Sequence, residues 1–490
     1  MTATIPDLAF RIDPAYEFEG KLVAPELDGD NVIVGQLPAS SSVDAVFLGK
    51  LAEHQASRRN VWLDSEGAHA IYVMGKRRSG KTYTLGVIAE GLVSNNWIKQ
   101  GSRRQPVLLL DTMNVFATMH YSVESVYGVS SAQGAEFRKW GLEDEPFEVV
   151  LFYPRGTEAP PEGNIKEVAI RPADLTAEDW AAFFGVDTYS DPIGQLISEL
   201  YEKVVLEGYT DQYQNQVSPK SNYTIEDILG CTEACPAIQR YPVSTIEAVR
   251  RRMNAVRRLQ IFSDQAIPIE QIFRPGQISI FLLRDIDQGL RSLLVAVLVK
   301  KIMERRSTAD RYERLAAVQL ASHETLRQKD LGRAKDAQEK YVAYLEQAKA
   351  GLPRGWVIID EAHNYMPSRG ISPSSVPLKK YVNEGRNLGL SIVVATQSPS
   401  ALDHAIRRNA DVIIIHSMSM KDDITTAEGM INTTIPDEYA VGRMKLATRT
   451  FEHLVRSLPI GYAVISNDRA DRVFVTRMRP RITIHGGVEY

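Results

Sequence analysis

The sequence predicts an α/β protein built on a mainly parallel sheet with helices on both faces. Three observations carry this. Short uninterrupted apolar runs recur at residues 71–74, 107–110, 149–152, 278–282, 356–359, 392–395 and 412–415, and such runs mark strands covered on both sides. Longer stretches with helical spacing separate them, the alternation of a parallel sheet with crossover helices. The first run leads directly into a glycine-bounded loop and then a helical pattern, the strand–loop–helix arrangement that cradles phosphate.

Taken in chain order, residues 1–66 hold short alternating stretches punctuated by Gly, Pro, Asp and Ser, with 32–35 and 43–48 as strands, and read as a small β-rich domain. Residues 67–171 form the first part of the α/β core. Residues 172–272 read as a helical insertion, in which Ile246, Val249, Met253, Val256 and Leu259 share one helix face. Residues 273–490 complete the core. Within them, 305–350 predicts a helical hairpin or short coiled coil, its part from 311 to 350 rich in Ala, Glu, Gln, Lys, Arg and Leu, and reads as either a solvated insertion or a partner-docking arm.

Composition narrows the function classes. The chain has 490 residues, 44% hydrophobic and 24% charged, an ordinary globular make-up. Its formal net charge of −4 means no global basic field, though a local basic patch can still bind phosphates. No apolar stretch approaches the roughly 18 residues of a membrane span, and Met1-Thr2-Ala3-Thr4-Ile5-Pro6 lacks the features of a secretory signal. The two cysteines, Cys231 and Cys235, have no second pair at zinc spacing and read as buried, reduced thiols. A cytoplasmic location without membrane attachment is the expectation.

The loop is Gly75-Lys76-Arg77-Arg78-Ser79-Gly80-Lys81-Thr82, with Tyr83 following in the helix. Gly75 and Gly80 let the backbone turn its N–H groups toward phosphate, and the helix adds its N-terminal dipole. Lys81 is expected to reach the β- and γ-phosphates and Thr82 to ligate Mg²⁺, so the cofactors expected are ATP and Mg²⁺. Arg77 and Arg78 are unusual in a loop interior and are expected to point outward.

The run at 356–359 ends in Asp360 and Glu361. A buried parallel strand delivers its C-terminal end to the sheet edge where ligands sit. There Asp360 would hold Mg²⁺ and Glu361 would act as general base on water. Gln397 ends the following run, where its amide either hydrogen-bonds the γ-phosphate or the attacking water or serves as a polar strand cap. Arg386 lies in the turn Asn383-Glu384-Gly385-Arg386-Asn387-Leu388-Gly389, where its planar guanidinium either suits a phosphate on a neighbouring subunit or makes a surface salt bridge. Asp111 ends the second run, where it either orients water or nucleotide or caps the strand. Asp360-Glu361-Ala362-His363 also spells the acidic box of a class of RNA helicases. That class is rejected because Ala395-Thr396-Gln397 stands where it has Ser-Ala-Thr and no arginine-rich motif follows. No Leu-Ser-Gly-Gly-Gln supports an ABC-type ATPase.

The order of these motifs, with Phe273-Arg274-Pro275-Gly276-Gln277-Ile278-Ser279 and the tail Arg479-Pro480-Arg481-Ile482-Thr483-Ile484-His485-Gly486-Gly487, resembles the HerA branch of the FtsK/HerA superfamily over roughly residues 30–487. The resemblance implies a RecA-like P-loop core with a small N-terminal β-barrel-like domain. It also implies a homohexamer that translocates on double-stranded DNA with a partner nuclease or anti-phage effector. Lys81, Thr82, Asp360, Glu361, Gln397 and Arg386 fall on the family's functional positions. Two departures stand out. Glu66-Gly67-Ala68-His69 occupies the place of an arginine often found before the loop strand, and Asn114-Val115-Phe116 replaces an acidic Gly-Glu-Tyr.

DNA-contacting residues are not identified by sequence. The candidate clusters are Arg250-Arg251-Arg252 with Arg257-Arg258, Lys99 with Arg103-Arg104, and Arg407-Arg408. Two alternatives stay open: an ATP-dependent scaffold that docks and activates an effector nuclease, and a secretion or conjugation ATPase.

Overall fold

The computed structural model describes residues 11–12, 31–35, 44–52, 59–94, 104–128, 131–370, 372–431, 440–441, 450–467 and 472–486. Thirteen strands form one sheet: β1 Val32–Val34, β2 Ala45–Leu51, β3 Asn60–Asp64, β4 Ala70–Met74, β5 Val107–Asp111, β6 Glu148–Pro154, β7 Asn164–Val168, β8 Gln277–Leu282, β9 Gly355–Ile359, β10 Leu390–Thr396, β11 Val412–Ile415, β12 Tyr462–Asn467 and β13 Arg472–Met478. Their order across the sheet is β1-β3-β2-β13-β12-β11-β4-β10-β9-β5-β8-β6-β7. From β11 to β7 every pairing is parallel. All seven predicted apolar runs lie in this parallel stretch.

Both faces are covered from β11 to β6, which is why the sequence there is apolar without alternation, whereas the edge strand β7 is mostly polar and partly exposed. Along β4, Ile71 and Val73 face the helix Lys81–Val93 with Leu85 and Ile88. Ala70, Tyr72 and Met74 face the opposite layer, with Leu293, Tyr381 and Ile424. Side chains on neighbouring positions of a strand point to opposite faces, so one sheet separates two cores.

The N-terminal strands expected in a barrel-like unit continue this same sheet in the described residues. β2 pairs antiparallel with β13, β3 pairs with β2, and β1 pairs with β3. Pairing there satisfies the backbone groups that β13 would otherwise leave at an open edge. Residues 1–10, 13–30, 36–43 and 53–58 of that expected domain lie outside the described residues.

The insertion is helical as its spacing predicts, with helices Ala177–Phe184, Pro192–Tyr201, Ile225–Ala234 and Val243–Arg257 and one short strand pair, Tyr209–Thr210 with Gln216–Val217. Thr176 with Asp179, and Thr224 with Asp227, form capping boxes that fix two of the helix starts. Cys231 and Cys235 are buried and reduced. Lys300 and Lys301, which interrupt the apolar run at 293–299, pair with Asp179 and Asp174 and tie the insertion to the core.

The hairpin has helices Gln288–Leu326 and Leu331–Ala348. At 1.5 Å per residue the first is roughly 60 Å long. Between Leu290 and Met303 its apolar residues are buried, whereas Leu315, Val318 and Leu320 beyond are exposed. Ala309 and Ala316 on one helix and Ala334 and Ala337 on the other are buried, small residues that permit close approach.

A buried ion cluster fastens the C-terminal tail to the helix after the phosphate loop. Glu90, on that helix, is fully buried and meets Arg479 Nη1 at 3.0 Å and Arg481 Nε at 3.2 Å. The backbone N–H groups of Ile482 and Thr483 donate to the same carboxylate at 3.0 Å each. Burial favours the protonated acid, but the two guanidinium groups outweigh it and hold the pKa below the usual carboxylate range. A depressed pKa stabilises the fold above the unfolded carboxylate's value and loses that contribution as pH falls through the folded one. Glu90→Gln strands two buried guanidinium groups and is expected to cost about 3–5 kcal/mol, because removing one partner of a buried pair leaves uncompensated charge. Urea unfolding of wild type and variant at pH 7 measures it, and an unchanged midpoint would refute it.

Candidate active site

The loop strand β4 stands between β10 and β11, and the acidic strand β9 lies beyond β10. Being parallel, these strands deliver Gly75, Gln397 and Asp360-Glu361 to one edge of the sheet. After Met74 the backbone turns at Gly75, where a Cβ would lie 2.6 Å from Ser79 Oγ and 2.7 Å from His416 Cβ, so no side chain fits. Gly80, with φ 110°, takes a backbone conformation that favours glycine, and it caps the helix. Lys81, Thr82 and Tyr83 then contribute the first N–H groups of the helix, which have no partner inside it and point at a ligand.

The loop rests on the end of β11. Lys76 N–H donates to Ser417 O at 2.7 Å. His416 is fully buried, with Nδ1 at 2.9 Å from Tyr462 O and Nε2 at 3.0 Å from Thr84 Oγ1. A carbonyl only accepts, so Nδ1 carries the proton and Nε2 accepts from the Thr84 hydroxyl. Burial, with Lys81 nearby, lowers the His416 pKa to about 4, so the ring is neutral and locks the loop by hydrogen bonds.

Lys81 is buried and its ammonium donates to Lys76 O at 3.1 Å. Burial lowers its pKa, with Glu361 and Asp360 working against that. Thr82 Oγ1 donates to Asp360 Oδ2 at 3.2 Å, which joins the two expected metal ligands across the sheet. Burial and the charges of Glu361 and Asp111 push Asp360 up to about 7, with Lys81 opposing. Asp111, also buried, is pushed up to about 6 by desolvation. Crowded carboxyl groups beside a hydroxyl are the hard oxygen donors that Mg²⁺ takes alongside phosphate oxygens. Thr82 and Asp360 therefore fit the metal.

Glu361 adopts a left-handed backbone, φ 50°, a conformation that costs a non-glycine residue roughly 1–3 kcal/mol and concentrates at functional sites. It turns the carboxylate toward β10. Gln397 Nε2 donates to Glu361 Oε1, and His363 Nδ1 lies 3.4 Å from Glu361 Oε2. Gln397 thus engages the expected base itself. His363 is also 2.9 Å from Thr396 Oγ1.

Other expectations separate. Lys76, Arg77 and Arg78 are exposed, as predicted for the arginines. Tyr83 turns its side chain away from the loop, its hydroxyl accepting from Arg481 N–H at 2.6 Å and its ring edge-on to His485. Only its backbone remains for a nucleotide. Asp111 accepts from Met113 N at 3.1 Å and Phe116 N at 2.7 Å, the strand-cap reading. It also adds its charge to Asp360.

Arg386 is not brought to the loop. Its turn precedes β10, and Nη2 lies 2.7 Å from Asp411 Oδ1 at the start of β11. That carboxylate accepts from Ala70 N, at the start of β4. Roughly 13 Å of strand, at about 3.3 Å per residue, separates Ala70 from Met74. Sequence reading missed His416, Asp411 and the Glu90 cluster, since each is a single residue whose partners lie far away along the chain.

A strand–loop–helix with buried lysine, a hydroxyl–carboxylate pair and a glutamate–glutamine pair on neighbouring parallel strands defines a P-loop ATPase fold. The family model described as the central domain of helicase HerA matches residues 46–302. The chain belongs to the HerA family. It is 23% identical over 356 residues to the DNA double-strand break repair helicase HerA of Pyrococcus furiosus, covering 67% of this chain and 62% of that relative. The chain thus aligns with less than two thirds of the relative's length. Among solved structures, VirB4 of Thermoanaerobacter pseudethanolicus overlaps with a TM-score of 0.49 at 11% identity, covering 92% of this chain and 98% of that one. The plasmid coupling protein TrwB in complex with ADP and Mg²⁺ gives 0.47 at 14% identity, with the same coverage of 92% and 98%. Among the described residues no helix is long and apolar enough to cross a membrane.

Proposed function

We propose that this chain hydrolyses ATP with Mg²⁺ in a homohexameric ring that moves along double-stranded DNA, together with a partner nuclease or anti-phage effector. The observation that carries the reading is the division of the site. Lys81, Thr82, Asp360, Glu361 and Gln397 converge on one sheet edge, while Arg386 sits at the other with Asp411, so that a phosphate for it would belong to another subunit. Thr82 and Asp360 would hold Mg²⁺, which when bound offsets phosphate charge. Glu361 accepts the proton of the attacking water, Gln397 orients Glu361, and Lys81 stabilises charge on the γ-phosphate. Arg386 from the neighbour supplies the remaining cation.

For DNA, the helix Val243–Arg257 and the Arg258 that follows it offer one candidate basic cluster. Arg250 is engaged by Glu233 and Glu247, whereas Arg251, Arg257 and Arg258 are exposed. Lys99 and Arg103 of a second expected cluster lie outside the described residues. Phosphate contacts of this kind need few cations per subunit in a ring.

The deciding measurement is ATP turnover with and without duplex DNA, on protein whose mass in solution is measured in the same buffer. Stimulation by DNA in a multimer is expected. A monomer at working concentration would refute the shared site. A multimer whose turnover ignores DNA would favour the scaffold, in which the exposed hairpin docks an effector nuclease. A secretion or conjugation role would instead require a membrane-bound partner.

A further inference from the structure

The turn that carries Arg386 is gripped from two sides. From the long hairpin helix, Arg306 Nε donates to Leu388 O at 2.6 Å and Arg314 Nη2 donates to Asn387 O at 3.0 Å. From the sheet edge, Asp411 meets Arg386 Nη2 at 2.7 Å, without the alignment of a hydrogen bond. Asp411 is itself fixed. Its Oδ1 accepts from Ala70 N at 2.8 Å, its Oδ2 lies 2.8 Å from His69 Nδ1, and His69 Nε2 lies 3.2 Å from Asp64 Oδ2. Asp64, His69 and Asp411 are all buried. An imidazole with a carboxylate at each nitrogen donates to both only when protonated.

The contrast with the other shielded arginines is informative. Arg306 spends its donors on Glu313, Leu388 O and Leu352 O, and Arg479 on Glu90, Phe47 O and Val87 O. Those are structural guanidinium groups. Arg386 is 32% exposed, and its solvent-shielded Nε and Nη2 make no hydrogen bond among the described residues. An arginine has five N–H donors in a rigid fork; the three on Nε and Nη2 are shielded on the Asp411 side, which leaves the two on Nη1 for another acceptor. The exposed part of the Arg386 side chain thus lies away from Asp411, where a second subunit's phosphate could meet Nη1.

We propose that Asp411, immobilised by His69 and Asp64, is the positioning residue that aims the Arg386 guanidinium at the neighbouring subunit's nucleotide. His69, in the stretch before β4, would then serve the trans-acting site indirectly, by anchoring Asp411. The inference rests on the ring reading above.

The test is a double-mutant cycle on assembled protein, with kcat and KM for ATP read separately. Arg386→Ala is expected to lower kcat. Asp411→Asn keeps an acceptor for Ala70 N–H and is expected to lower kcat on the order of 10- to 100-fold, the cost of a misplaced catalytic group. KM should stay within about twofold, since the arginine acts in the transition state. The double variant should be no slower than Arg386→Ala alone, because Asp411 acts only through that side chain. Effects that multiply in the double variant, or an Asp411→Asn enzyme with normal kcat beside a slow Arg386→Ala, would overturn the inference and leave the ring standing. An assembled Arg386→Ala protein with normal kcat would instead sink the shared site itself. Should Asp411→Asn fail to fold, Asp64→Asn carries the same comparison with the Asp411 carboxylate intact.

Discussion

Glu361→Gln is expected to bind ATP at close to wild-type affinity and to hydrolyse it about 10²- to 10⁴-fold more slowly, the contribution of a positioned general base. The substitution keeps size and position. The left-handed backbone at Glu361, φ 50°, is set by the acidic strand's turn into Ala362–Asn364, and Gln397 can still hydrogen-bond an amide oxygen. What is lost is the ability to take a proton from water. In the proposed site binding would be carried elsewhere, by the loop N–H groups, Lys81 and the Thr82–Asp360 pair, so affinity and turnover should part company. Equilibrium binding of ATP beside steady-state phosphate release measures both. Near-normal turnover by the assembled variant would remove Glu361 as the base.

Lys81→Ala is expected to abolish measurable turnover and to weaken nucleotide binding as well. Removing one preorganised charge-stabilising donor costs on the order of 10²- to 10³-fold in rate, and here the loss spreads. Lys81 is the buried cation that opposes the rise of the Asp360 pKa, with Glu361 and Asp111 pushing the other way. Without it the carboxyl groups lose their internal counter-charge, and Asp360 is driven further toward the protonated form, which does not ligate Mg²⁺. The loop itself should persist, because His416, Thr84 and the Lys76–Ser417 hydrogen bond hold it without the ammonium. Circular dichroism should be unchanged while fluorescent-nucleotide binding and phosphate release fall together. Retained turnover in a folded Lys81→Ala protein would exclude this loop as the catalytic one. The two variants differ in kind: one separates binding from chemistry, the other removes both.

Much of the site was legible in the sequence because its parts are local. Gly75 to Thr82 lie on one turn, and Asp360-Glu361 and Gln397 each end an apolar run. Parallel strands bring their ends to a common edge whatever the loops between them do. Tyr83 shows the limit, since adjacency in sequence placed it by the phosphate while its side chain was drawn under the tail by Arg481 and His485. Arg386 shows it again. Its turn was recognisable, but its place at the opposite edge follows from preceding β10 rather than ending it.

By itself the sequence determined the α/β class, the mainly parallel sheet of apolar strands and the helical character of the insertion and hairpin, and it named the candidate residues for phosphate and metal. These follow from periodicity and from motifs a few residues long, which report local backbone geometry and burial. The tertiary structure alone decided which distant side chains share a buried environment. It set His416 under the loop, bound Glu90 to Arg479 and Arg481, and tied Arg386 to Asp411, His69 and Asp64. Such pairings cost a charge its water and are viable only where partner groups from remote segments arrive together, so no stretch of sequence announces them.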